Sequence, residues 1–82
     1  MLFLYPDLKV RAFWMVGMKI SIDLLWLRKG AVVGVEHRLP APKPGQRPRS
    51  VTSPTAVDAV LEVPAGWAAR HRIGPGSRLT GP

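Results

Sequence analysis

The chain has 82 residues, a formal net charge of +7 and no cysteine. This length allows one domain with a small core, and the lack of cysteine excludes disulfide bridges and thiolate metal sites. No apolar run approaches the roughly 20 residues of a transmembrane helix, and the apolar start Met1–Tyr5 is too short for a signal-peptide core. We therefore expect residues 1–82 to form a single soluble domain without an export signal, in a compartment that the sequence leaves open.

The N-terminal region predicts two strands. Met1–Tyr5 is a short apolar segment that the turn-forming pair Pro6-Asp7 closes. Val10–Val16 alternates, and Arg11 is its only polar residue, so we expect this strand to be covered on both faces over much of its length. This interpretation packs Trp14 into the core.

The next two segments predict a β-hairpin. Ile20–Leu27 has a strict period of two, which places Trp26 on an apolar face and Asp23 on the opposite face. Arg28-Lys29-Gly30 supplies a tight turn, because glycine readily adopts a positive φ. Ala31–Glu36 is rich in β-branched residues and forms the returning strand.

Residues 38–54 interrupt this pattern. The prolines of this segment exclude a regular helix and interrupt any ladder of strand hydrogen bonds, and a glycine among them adds a further break. We therefore predict an extended proline-rich surface loop, long enough to be either functional or disordered. The residues on which this prediction depends are Pro40, Pro42, Pro44, Gly45 and Pro48.

The C-terminal region predicts one more strand, a short helix and a final turn. Val57–Val63 alternates strictly and points every second residue, Leu61 among them, toward the interior that holds Trp26. A helix of two turns near residues 65–71 follows, and a glycine-proline turn leads into a short last strand around Arg78–Leu79. The elements together predict a mainly β, antiparallel fold with one short α-helix.

Five motifs follow one another in an order typical of a known family. They are the run FWMVGMKISIDLLWL, the returning strand AVVGVE, the proline-rich loop, the segment SPTAVDAVLEVPAGWAARH and the closing IGPGSRL. In this order the chain resembles the family called domain of unknown function 192, and it matches roughly the C-terminal two-thirds of such a domain. The resemblance implies a compact, barrel-like β domain. It implies no activity, because none is established for the family, whose members include exported and intracellular proteins.

The chain also departs from the family pattern. Family domains carry a further strand and a Gly-Leu-Met segment before the equivalent of Met1, so the resemblance implies an N-terminal truncation. The family's Lys after F-W-M is Val16 here, its Pro before the I-D pair is Ser21, and its closing Gly-Asp is Gly76-Ser77. Each change removes a polar or stiff group from the pattern.

Three residues form a candidate site for a ligand or partner: Lys19, Asp23 and Ser53. Asp23 stands among apolar neighbours, where an unpaired carboxylate is costly to bury. We expect it to reach solvent at the sheet edge or to pair with Lys19 or a loop arginine. It would then be either an ordinary surface residue or part of the lining of a groove. The main hypothesis is a non-enzymatic binding or accessory module that takes an unknown protein or small ligand at the 38–54 loop and these residues.

The positive charge suggests an alternative, a nucleic-acid-associated protein. Residues 37–57 contain no acid, and bases there and near the C-terminus are candidate phosphate contacts. Both basic regions lack the interleaved aromatic residues of a base-stacking platform, and an Arg-rich, Asn-free composition is also typical of a GC-rich genome. The candidates are Arg38, Lys43, Arg47, Arg49, Arg70 and Arg72.

A second alternative is a hydrolase-like enzyme that uses Asp23 for acid–base chemistry. Asp58 and Glu62 lie on an outward strand face, where nothing separates their pKa values into acid and base roles. His37 and His71 have no evident third ligand for zinc. We therefore predict no catalytic residue, no metal site and no cofactor.

The segment Met1–Tyr5 predicts self-association. If a preceding strand normally pairs beside it, this chain exposes an apolar sheet edge. We expect dimers or aggregates at micromolar concentration.

Overall fold

Six β-strands and one short helix form within residues 1–79, the part of the chain that the computed structural model describes. The expectation of a mainly β fold with one short helix is confirmed. In chain order the elements are β1 (Leu2–Lys9), β2 (Ala12–Trp14), β3 (Ile22–Arg28), β4 (Ala31–Leu39), β5 (Ser50–Thr52), β6 (Val57–Pro64) and α1 (Trp67–Arg70).

The main sheet is antiparallel with the strand order β1-β6-β3-β4, while β2 and β5 form a separate two-stranded ribbon. The sheet is open, with β1 and β4 as its edges, so the barrel-like expectation is wrong on this point. The four strands of the main sheet do not close on themselves. The ribbon and the helix cover the two faces instead.

Each face of the main sheet carries its own hydrophobic cluster. On the first face, Met15 and Phe13 from the ribbon segment pack over Trp26. On the second face, Ala68 of α1 packs against Leu25. The central strand β3 is therefore covered on both sides, and its residues 22–27 are all buried.

The pairing of β6 with β3 differs from the sequence prediction. Trp26 lies opposite Val60, and Leu25 lies opposite Leu61. Directly paired residues of antiparallel strands point to the same face, so Trp26 shares the first face with Val60, while Leu61 lies on the second. The prediction that Trp26 and Leu61 share one interior is wrong, because both faces of the sheet are covered and the apolar set of alternate residues in β6 packs on the second one.

The N-terminal strands also differ from expectation. β1 continues through Pro6-Asp7, where the sequence predicts a turn, with an irregular register between Leu4 and Lys9. Proline is tolerated there because β1 is an edge strand. The predicted strand Val10–Val16 shortens to β2, and Trp14 is 59% exposed rather than packed in the core.

The β3–β4 hairpin is confirmed. Lys29 and Gly30 form its turn with φ angles of 49° and 81°, the double positive φ of a type I′ turn. β4 continues to Leu39, and the proline-rich segment contains β5, so the irregular loop is shorter than residues 38–54. The C-terminal elements are shorter than predicted as well: α1 begins only after Gly66, which has a φ of 90°, and the last strand is a single bridge.

Candidate functional site

Asp23 is a buried anchor between three segments. Its side chain is inaccessible to solvent. Oδ1 accepts a hydrogen bond from the Arg38 N–H at 2.8 Å, and Oδ2 accepts bonds from the N–H groups of Gly66 at 3.1 Å and Ala68 at 2.9 Å. The expectation that Asp23 reaches solvent or pairs with Lys19 is wrong, because backbone donors of β4 and of the start of α1 occupy both oxygens. Of the loop arginines, Arg38 does bind Asp23, but through its backbone N–H.

The electrostatics of Asp23 suit this structural role. Burial acts to raise the pKa of the carboxyl, but the N–H donors of Arg38, Ala68 and Gly66, with His37 nearby, hold that pKa below its usual value. The group is thus an ionised acceptor enclosed by protein. A general acid or base must reach a substrate proton, and this geometry offers Asp23 no such access.

Ser53 is a second structural residue, on the other side of the main sheet. Its Oγ accepts a hydrogen bond from the Arg11 N–H at 2.9 Å and donates one to the Thr55 carbonyl at 2.8 Å, which fastens the end of β5 beside β2. Asp23 pairs with Val63 and faces the second cluster. Lys19 is exposed in the segment between β2 and β3. The structure does not bring Lys19, Asp23 and Ser53 together.

Three of the predicted phosphate contacts do come together. Lys43, Arg47 and Arg49 line one pocket of about 250 Å³ on the segment Pro40–Arg49, which we call the basic loop. All three side chains are exposed, and the loop contains no acidic residue. The remaining lining residues are Pro40, Ala41, Pro42 and Gln46.

The basic loop has a defined conformation. The Gln46 N–H donates to the Lys43 carbonyl at 2.9 Å, and the Lys43 N–H donates to Oε1 of Gln46 at 2.9 Å. Pro44 and Gly45, with a φ of 78° at the glycine, occupy the two central positions of this turn, as in a type II turn. Buried Leu39 precedes the loop, and at its far end Arg49 accepts a hydrogen bond from the Met15 N–H at 2.8 Å.

A second pair of predicted contacts meets above Gly66. A Cβ atom on this glycine would lie 3.2 Å from Nη1 of Arg70 and 3.3 Å from Nη2 of Arg38, so both guanidinium groups approach one point. The ion pairs found within residues 1–79 involve neither arginine. Arg72 is exposed just after α1, with a φ of 54°.

Trp14 belongs with the basic loop, a relation that the sequence analysis missed. Trp14, Arg47 and Ser50 line an open groove of about 620 Å³ on the outer side of the ribbon, together with Ala12 and Pro48. Arg47 also lines the 250 Å³ pocket, so groove and pocket adjoin. The only signal in the sequence was a strand with apolar residues on both faces, which did not reveal that Trp14 is exposed. Its position beside the loop depends on the pairing of β2 with β5.

An apolar groove of about 380 Å³ lies beside edge strand β1, where Leu2 and Leu4 approach Leu27 and Leu79.

Within residues 1–79, no three His, Cys, Asp or Glu side chains lie close enough to hold a metal ion. Over the same range, none of the helical structure has the length and apolar character needed to cross a bilayer.

Two solved structures share this architecture. A proposed transcription regulator of Sinorhizobium meliloti 1021 superimposes with a TM-score of 0.85 at 26% identity, over 99% of this chain and 60% of its own. A protein of unknown function from Novosphingobium aromaticivorans DSM 12444 gives a TM-score of 0.81 at 26% identity, over 95% of this chain and 54% of its own. This chain therefore spans little more than half the length of either protein, and no curated protein matches it. The profile of the DUF192 family, described as "Uncharacterized ACR, COG1430", matches residues 1–81, and the chain belongs to that family.

Proposed function

We propose that this domain is a non-enzymatic binding module whose basic loop takes an anionic ligand. The observation that carries the proposal is the convergence of Lys43, Arg47 and Arg49 on one pocket without an acidic neighbour in the loop. Surface cations with no ion-pair partner keep their charge available for a bound anion. Charge-assisted hydrogen bonds from arginine to phosphate or carboxylate oxygens are among the strongest in proteins.

The conformation of the loop supports the proposal. The turn at Lys43–Gln46, the prolines and the hydrogen bond between Arg49 and Met15 restrict the loop before any ligand arrives. A restricted loop loses less conformational entropy on binding, so more of the interaction free energy appears as affinity.

The experiment is a calorimetric titration of the protein with sodium tripolyphosphate at low salt. Binding to the wild-type chain is expected, and Arg47→Gln should weaken it about tenfold, because one charge-assisted contact is lost. Arg28→Gln is the matched control: it removes the same charge from another exposed arginine, outside the loop. Equal affinities of the two variants, or no binding by the wild type, would refute the proposal.

A second candidate function is association with double-stranded DNA. One observation favours it, the description of the Sinorhizobium meliloti protein as a proposed transcription regulator. Arg38 and Arg70, the two cations that meet above Gly66, would then add phosphate contacts to those of the basic loop. A duplex affinity that falls steeply with salt would support this function, and absence of binding at low salt would remove it.

A further inference from the structure

We infer that the anionic ligand of the basic loop is single-stranded nucleic acid, with one base stacked on Trp14 and its phosphates held by Lys43, Arg47 and Arg49. The inference rests on the proposed function and names its ligand class. It depends on an exposed indole in a groove that shares Arg47 with the pocket lined by these cations.

The exposure of Trp14 is the first argument. The indole is 59% exposed, whereas Trp26 is completely buried. Tryptophan gains most from removal of its large apolar surface from water, so an indole left in solvent on a β-strand is available for a ligand. Ala12 and Ser50, its neighbours in the groove, are small, which leaves the aromatic surface accessible.

The second argument is that the indole and the cations are held in fixed relation. Trp14 pairs with Ser50 in the β2–β5 ribbon, and the Met15 N–H donates to the Arg49 carbonyl at 2.8 Å. The strand that carries the indole is thus hydrogen-bonded to the residues that end the basic loop. Arg47 lines both the groove and the pocket and so joins the two parts of the site.

The chemistry of single-stranded nucleic acid fits this combination. Its bases expose faces that stack on an aromatic side chain, and its backbone carries a phosphate at each nucleotide for a neighbouring cation. The groove is open, which suits a base that belongs to a continuing strand. A duplex keeps its base faces stacked inside the helix, where Trp14 could not reach them.

The few hydrogen-bonding groups in the groove predict weak sequence preference. Besides the guanidinium of Arg47, its lining offers the hydroxyl of Ser50 as the polar side-chain group. Stacking is tolerant of base identity because every base has an aromatic face. Oligonucleotides of different sequence should therefore bind with similar affinity.

The test measures fluorescence anisotropy with a labelled single-stranded DNA of about ten nucleotides, a length within the usual range of single-strand sites. Trp14→Ala should weaken binding about tenfold, while Trp14→Phe should retain most of the affinity because a ring remains for stacking. Val16→Ala, which shortens another exposed apolar side chain on the same segment, should bind as the wild type does. Unchanged melting temperatures would show that each variant folds.

Salt dependence separates the two parts of the site. Arg47→Gln should reduce the slope of log affinity against log salt by about one, whereas Trp14→Ala should leave the slope unchanged. Wild-type affinity for Trp14→Ala would overturn the inference, as would equal binding of a duplex or of a single mononucleotide. Retained tripolyphosphate binding without oligonucleotide binding would overturn this inference alone; loss of both would also remove the proposed function.

Discussion

The carboxylate of Asp23 shows how one side chain can hold three segments together. It accepts hydrogen bonds from the backbone of Arg38 in β4 and from Gly66 and Ala68 at the start of α1. A helix of one turn has little stability of its own, since the first turn fixes several residues for one hydrogen bond. The buried acceptor therefore decides where α1 forms on the sheet.

Replacement of Asp23 by asparagine should destabilise the domain without creating a cavity. The amide supplies one oxygen, and its NH₂ group would face an N–H donor that now has no acceptor. We expect the free energy of unfolding to fall by about 1–3 kcal/mol, measured by urea denaturation. Asp58→Asn, at a partly exposed aspartate whose carboxylate accepts an exposed hydrogen bond from the Lys29 N–H, is the control and should cost less. Equal costs would contradict the structural role of Asp23.

The lowered pKa of Asp23 gives that prediction a pH dependence. The carboxyl binds its proton less readily in the folded chain than in the unfolded chain. Its stabilising contribution is therefore complete above the unfolded pKa of about 4 and is lost as the pH falls through the lower folded pKa. The difference in stability between the wild type and Asp23→Asn should shrink below about pH 4. A constant difference down to pH 2 would refute this assignment.

Among the elements, the β3–β4 hairpin is the one that local sequence specifies best. Its type I′ turn requires positive φ at two residues, and Gly30 adopts such a φ without strain. Lys29 adopts a φ of 49° as well, which is unfavourable for a side chain that cannot hydrogen-bond locally. The backbone of the turn is therefore unstrained at Gly30 and strained at Lys29.

Replacement of Lys29 by asparagine should stabilise the hairpin. Asparagine tolerates positive φ, and Asn-Gly is the preferred pair in type I′ turns. The Lys29 N–H that donates to Oδ1 of Asp58 belongs to the backbone and is retained. We expect a gain of up to about 1 kcal/mol in thermal denaturation, and a loss of similar size for Gly30→Ala. A destabilised Lys29→Asn would contradict the turn assignment.

The register of β6, unlike the hairpin turn, is not specified by local sequence. Its alternation was visible in the sequence, yet Val60 rather than Leu61 shares the face of Trp26. The wholly apolar set, with Leu61 and Val63, packs on the second face, whereas Val60 is buried on the Trp26 face although its own set also contains Asp58 and Glu62. Both faces of the sheet are covered, so an apolar set of alternate residues does not show which of the two faces it occupies. Local pattern therefore identified the strand but could not orient it.

At the scale of the whole molecule, the open sheet leaves β1 as an edge strand with apolar side chains in solvent. Met1 and Leu4 are each 75% exposed, and Leu2 is 52% exposed. The adjoining groove of about 380 Å³ adds further apolar surface. Pro6 and the charged residues Asp7 and Lys9 protect the second half of the strand, because proline and charge disfavour edge-to-edge pairing.

We expect the chain to self-associate through the first half of β1 at micromolar concentration. Pairing of two such edges would satisfy their free backbone groups and cover Leu2 and Leu4. Sedimentation velocity should show a concentration-dependent dimer, and Leu4→Lys should shift the chain toward monomer. Ile20→Lys places the same charge at another exposed apolar residue, away from β1, and should leave the dimer intact. A monomer throughout the wild-type concentration series would contradict this expectation.

The sequence by itself determined that this chain is mainly β, that a hairpin turns at Lys29-Gly30 and that a basic, proline-rich loop follows. These properties depend on residue type and on neighbours a few positions apart, so they can be read locally. Only the tertiary structure decided that Asp23 is buried and that Trp14 lies beside Arg47. Both outcomes arise from contacts between segments far apart in the chain, β3 with the start of α1 and β2 with β5, and such contacts leave no periodic trace in either segment alone.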